Sequence, residues 1–198
     1  VDVINDDREL VLAKLTDINE TINDTAVDVF VYDTSKDSDG GAWRHRTQHT
    51  SWYNEGASST RGSRKEFPAV AVIVAESNKV TIYDGDDPSL PMWMVFEASA
   101  TAGNKILWLG NVASISSLTM LNGNMAFGAT QSSASFTSLY QVNFISEYVE
   151  RYSSSTQKRI WNNDIQSRNS GSYSDVVTAS IVSTQVNDVA MTVLPDAP

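Results

Sequence analysis

Residues 117–128 read SLTMLNGNMAFG, and this stretch decides the class of the fold. Two runs of strand-forming residues flank Asn122-Gly123. A two-residue turn that matches strand twist needs a positive φ at both central positions. Asn followed by Gly meets that need at the least steric cost. The stretch therefore predicts a β-hairpin turning at Asn122 and Gly123.

Strand signals continue on both sides. Val27, Val29 and Val31 alternate with Asp28, Phe30 and Tyr32, a period of two. Residues 69–75 form a valine-rich apolar run, and 80–83 end at the turn signal Asp84-Gly85. Further strands are expected at 92–96, 105–109, 139–145 and 148–152. Residues 176–182 and 186–194 resume the same character. Residues 153–175 are Ser/Asn-rich around Arg159-Ile160-Trp161. They read as an exposed insertion or long loop, with one strand at most.

Two segments align with each other. Residues 67–96 read FPAVAVIVAESNKVTIYDGDDPSLPMWMVF, and residues 115–144 read ISSLTMLNGNMAFGATQSSASFTSLYQVNF. Each offers a hairpin and a third strand, with 105–109 and 148–152 as fourth strands. The offset is roughly 43 to 47 residues, within the range of propeller blades. One flat sheet cannot bury both its faces alone, so such units stack. The expected fold is thus mainly β, in antiparallel four-stranded β-propeller-type blades over residues 26–198. A meander within a sandwich is the alternative.

The first 25 residues differ. Ile4, Val11, Leu15, Ile18 and Ile22 fall at spacings of 7, 4, 3 and 4, an a/d heptad seam. Asp6 with Glu9 suits a capping box. A short amphipathic helix is expected. Its face of Val11, Leu15, Ile18 and Ile22 would serve a trimeric coiled-coil stalk or pack on its own domain. The start at Val1 and the linker-like end at 194–198 suggest a piece of a longer polypeptide.

Bulk properties exclude several classes. Fourteen Lys and Arg against 24 Asp and Glu give a net charge of −10. That balance repels phosphate backbones, so no nucleic-acid partner is expected. No apolar run is long enough to span a membrane as a helix, so no membrane insertion is expected. Cysteine is absent, which removes disulfides and thiolate metal sites.

Sites for chemistry are sparse. His45 and His49 are the only histidines. On a strand their spacing would part them by roughly 13 Å, which does not suit a metal. Asp84-Gly85-Asp86-Asp87 offers carboxylates around a turn but lacks the spacing of an EF-hand loop, so a solvated turn is favoured. No Gly-x-Ser-x-Gly elbow or phosphate-binding glycine loop occurs. No catalytic residue, metal or cofactor is expected. Arg44, Arg46, Arg61, Arg64 and Lys65 make a local basic stretch, read as a solvated loop or a contact for an acidic neighbouring subunit. Trp43 reads as core. Trp52 and Tyr53 are candidates for an interface, a glycan contact or the core.

Ser35, Asp37, Asp39, Gly41 and Trp43 resemble the Asp-box of sialidase-like propellers. With Asp39 as the box aspartate, Gly41 is placed correctly, Trp43 comes one residue early and the threonine is missing. The resemblance implies a structural turn leading into a strand at 43–47; a plain glycine loop is the alternative. Residues 26–198 as a whole look like virion structural and tail-fibre-like proteins of marine phages, most of all in TSWYNE (50–55) and RGSRKEFPAVAVIV (61–74). That likeness implies a non-enzymatic component of a phage tail, as a fibre, tip or adaptor. Its partners would be copies of itself (a trimer among the options), other tail proteins and a host surface receptor or glycan. A sialidase-like or depolymerase-like glycosidase and a capsid decoration protein are the alternatives.

Overall fold

The computed structural model describes residues 24–46, 62–97, 112–131, 137–153, 158–161, 174–176 and 186–193. The expected helix with Val11, Leu15, Ile18 and Ile22, the strand at 105–109, and Trp52 and Tyr53 lie outside the described residues.

Among the described residues ten strands form two antiparallel meanders. The first holds β1 (Ala26–Asp33), β2 (Val70–Glu76), β3 (Lys79–Asp84) and β4 (Met92–Glu97), in that spatial order. The second holds β5 (Val112–Leu121), β6 (Asn124–Gln131), β7 (Thr137–Asn143), β8 (Tyr148–Ser153), β9 (Lys158–Trp161) and β10 (Ser174–Val176). Every pairing is antiparallel and joins strands consecutive in sequence. Helix among the described residues is confined to 24–25, ahead of β1, a 3-10 turn, Thr34–Lys36, and one helical turn, Trp43–Arg46.

Both aligned segments fold as three-strand meanders that open on a two-residue turn. Leu121 pairs with Asn124 across Asn122-Gly123, whose φ values are 49° and 71°. These are the left-handed values the Asn-Gly pair suits. A Cβ at Gly123 would lie 3.0 Å from Ile145 and 3.1 Å from the Trp43 ring. Gly123→Ala is therefore expected to cost about 2 kcal/mol, from left-handed backbone and crowding together. Urea denaturation would read this as a lower midpoint with an unchanged slope.

The four-stranded blade expectation needs correction in three places. The first sheet gains a strand the repeat did not include, since β1 lies upstream and pairs with β2, while 105–109 lies outside the described residues. The second sheet has six strands, because the segment expected as an insertion supplies β9 and β10. Lys158 carries an ammonium 2.7 Å from Glu150 on β8, which anchors β9 to the sheet; serine and asparagine hid a strand whose register is held by charge. Third, residues 186–193 form no strand. They lie against β5, where the Ser116 hydroxyl donates to the Val186 carbonyl at 2.5 Å and Ser117 to Asp188 at 2.7 Å. Among the described residues the sheets do not close into a ring.

The inner faces of both sheets build one core. Ala71, Ile73 and Ala75 of β2, Val80 and Ile82 of β3, and Met94 and Phe96 of β4 join Leu118 and Met120 of β5. Met125 and Phe127 of β6 and Tyr140 and Val142 of β7 complete it. A bulge between Ile82 and Tyr83 turns Trp93 inward as well, as an extra residue re-aims its side chain. Val72 and Val74 point to the other face of the first sheet and are also buried, with Leu90, Val29 and Tyr83 beside them. A strand apolar on both faces reads as a continuous run, which explains the valine-rich stretch at 69–75.

Candidate functional site

The most concentrated buried polar chemistry sits where the two sheets meet. After β1 the chain turns through Thr34–Lys36 and reaches Asp37, which is 7% exposed. One Asp37 oxygen, Oδ2, accepts hydrogen bonds from the Tyr32 hydroxyl and from Trp43 Nε1, the latter at 2.7 Å. The other, Oδ1, accepts the Asn122 N–H at 2.9 Å, from a residue 85 positions away on the second sheet. The Tyr32 oxygen in turn accepts the Gly123 N–H at 3.2 Å. Ser38 donates its N–H and hydroxyl to Asn122 Oδ1 at 2.8 and 3.0 Å. The β5–β6 turn is thus gripped by the segment after β1.

Local chemistry explains the grip. Asp33 accepts from the Ser35 N–H at 3.0 Å and starts the 3-10 turn. Gly40 and Gly41 take φ values of 64° and 83°, and Asp39 accepts the Gly41 N–H at 3.1 Å. That reversal leads into a helical turn at Trp43 instead of the expected strand at 43–47. Arg44 and His45 donate backbone N–H to Gly41 and Ala42, so the chain coils where a hairpin strand would extend. Asp39 ties the turn locally through Gly41 and also bonds Arg46, whereas Asp37 is the carboxylate that links the turn to Tyr32, Trp43 and the second sheet. Trp43 is 1% exposed in the core.

The environment holds the Tyr32 phenol well above its ordinary pKa. Burial contributes most, and the hydrogen bond to the Asp37 carboxylate adds to it. Neutral Tyr32 is the donor that Asp37 needs.

A second polar cluster lies at the β3–β4 connection. Arg64 inserts its guanidinium between two carboxylates, 2.6 Å from Asp84 and 2.7 Å from Asp86. Asp86 also accepts the Ala69 and Val70 N–H groups at 2.9 and 2.8 Å. The acidic turn expected to be solvated is therefore closed by a cation from the chain itself, and Asp84 is 5% exposed. Arg64→Met is expected to destabilise by about 2–3 kcal/mol, because it strands the buried Asp84 charge. Burial opposes ionisation of Asp86, yet the two N–H groups and Arg64 outweigh it and lower its pKa. A lowered folded value stabilises the protein above the ordinary carboxylate range, and this is lost as pH falls through the folded value. Acid titration of stability should therefore be shallower in Asp86→Asn than in the parent protein.

Arg44 and His45 lie 3.4 Å from Glu66, and Arg46 pairs with Asp39. The described arginines of the basic stretch are thus engaged within the chain. His49 and Arg61 lie outside the described residues. Among the described residues no group of His, Asp and Glu is arranged to hold a metal ion.

Sequence reasoning brought Ser35, Asp37, Asp39, Gly41 and Trp43 into one turn, and Asn122 with Gly123 into another. It did not bring the two turns together, it gave Tyr32 no role beyond its strand, and it sought the partner of Arg64 outside the chain where Asp84 and Asp86 supply it. No family model, curated protein or solved structure matches the chain.

Proposed function

We propose that the chain is a non-enzymatic structural module of a tailed-phage virion, serving a tail fibre, tail tip or adaptor. The likeness of residues 26–198 to such proteins is one support. The observation that carries the reading is the use made of the buried Asp37. Its Oδ1 accepts the Asn122 N–H from the second sheet, while Oδ2 accepts the Tyr32 hydroxyl and Trp43 Nε1 on the side of the first, so the carboxylate is spent on bracing. The Asp28 carboxylate likewise accepts the Leu118 N–H of the other sheet at 2.8 Å. A rigid scaffold needs such cross-links between layers, whereas a catalytic acid needs an oxygen left for substrate.

The two meanders are, on this reading, blade-type units of a larger stack. Val72 and Val74 support it, because β2 is buried on both faces, as a strand in an inner layer of stacked sheets is. The copies would pack with each other and with other tail proteins, and would present a surface to a host receptor or glycan.

Antibody against the chain, imaged on intact particles, tests the placement. Label at the tail is expected; label over the head would identify a capsid decoration protein instead. Incubation with host polysaccharide tests the chemistry. Saccharide release that disappears on substitution of an acidic residue would replace the scaffold reading with a glycosidase.

A further inference from the structure

Arg151 stands apart from the other arginines. Arg44, Arg46 and Arg64 each pair with an acid. Arg151 is 7% exposed, and its buried Nε has no hydrogen-bond partner. No carboxylate of the described residues pairs with it. The acid beside it, Glu150, faces the opposite side of the sheet, as neighbours on a strand do. There Glu150 binds Lys158 at 2.7 Å and Tyr152 at 2.6 Å. An arginine keeps its charge at any ordinary pH, so a buried guanidinium calls for a counter-charge.

The surrounding sheet supplies a second donor. Tyr140 of β7 stands opposite Arg151, and Ser138 lies two residues along on the same face. Ser138 is fully buried, and its hydroxyl also lacks a partner. Such diagonal positions lie about 7–8 Å apart across a strand pair, a span that an arginine side chain bridges. The same register row continues to Arg159 on β9 and Asp175 on β10.

We propose that Arg151 and Ser138 form a binding site for a small oxyanion, a carboxylate or phosphate group. The guanidinium fork offers two parallel N–H donors to two oxygens of one group. The Ser138 hydroxyl offers a third donor from the neighbouring strand. Deep burial restricts the ligand to a group about the size of acetate or phosphate.

Thermal unfolding in sodium acetate, sodium phosphate and sodium chloride at equal ionic strength tests the site. Acetate, phosphate or both should raise Tm saturably over chloride, and the arm that responds identifies the oxyanion. Saturation separates binding from the general stabilisation that excluded salts give. Arg151→Met should abolish the saturable rise and be at least as stable as the parent in chloride. Ser138→Ala should weaken the anion's affinity about tenfold, as loss of one buried hydrogen bond does. Equal melting in all three salts would overturn the proposal, as would a rise that survives Arg151→Met. Should that variant not fold, an unchanged affinity in Ser138→Ala overturns it.

Discussion

Replacing Asp37 with Ala is expected to remove about 4 kcal/mol of folding stability. The side chain accepts from three groups: the Tyr32 hydroxyl, Trp43 Nε1 and the Asn122 N–H. Two of them lie where water cannot easily replace it, since Tyr32 is 4% and Trp43 1% exposed. Each orphaned buried donor costs about 1–3 kcal/mol. The sum is a large part of the roughly 5–15 kcal/mol that holds a domain folded. Asp37→Asn should recover only part of it, because one amide end brings another donor among donors. Tyr32→Phe removes a single donor and should cost about 1 kcal/mol. A double-mutant cycle of the two should show strong non-additivity, because they share one hydrogen-bond network. Tyr32 also gives the site an alkaline limit. Its raised pKa means the stabilisation is full below the ordinary phenol value of about 10 and is lost as pH rises toward the folded value. Tyr32→Phe should flatten that alkaline loss in a pH series of denaturation midpoints.

Phe67→Ala is expected to cost about 3–5 kcal/mol, the range for truncating a buried phenylalanine. Phe67 lies in no strand, yet it is 1% exposed and central to the aromatic core. Its ring centroid is 4.9 Å from Trp93, 5.1 Å from Trp43, 5.3 Å from Phe144 and 6.1 Å from Tyr32. Phe144 follows the second sheet's β7 and Trp93 lies on the first sheet's β4, so one ring packs against both sheets. Edge-to-face pairs of this kind add to area burial. Phe67→Leu refills most of the volume and should cost about 1.5 kcal/mol or less. Urea denaturation followed by tryptophan fluorescence reads both variants, since Trp43 and Trp93 flank the site. Equal stability of Phe67→Ala and the parent would show that the core does not depend on this ring.

What the sequence disclosed follows from the range of the interactions. Asn122-Gly123 was legible because a tight turn is a local matter, set by which residues tolerate positive φ. The valine run of β2 was legible because burial on both faces leaves no polar alternation. The neighbour of β2 was not legible, since nothing in 26–33 states which strand edge it takes, and 36 residues (34–69) separate it from β2. β9 and β10 were hidden by composition: Lys158 pairs with Glu150 across the ladder, a contact that hydrophobic periodicity cannot register. The helical turn at Trp43 was lost for a similar reason, because two glycines with positive φ redirect the chain. The Asp37 brace was the least legible. Aspartate in a Ser/Gly turn is ordinarily solvated, and the donor that distinguishes this one comes from 85 residues away. Asp39 has the better motif spacing and the lesser role.

Native-state hydrogen exchange across a denaturant series tests the joining of the sheets most directly. The amides of Ile73 and Ile82 report on the first sheet, and those of Phe127 and Tyr140 on the second. One shared core braced through Asp37 predicts that all four exchange with the same opening free energy and the same denaturant dependence. Two separate opening energies, with one sheet exchanging while the other stays protected, would contradict it.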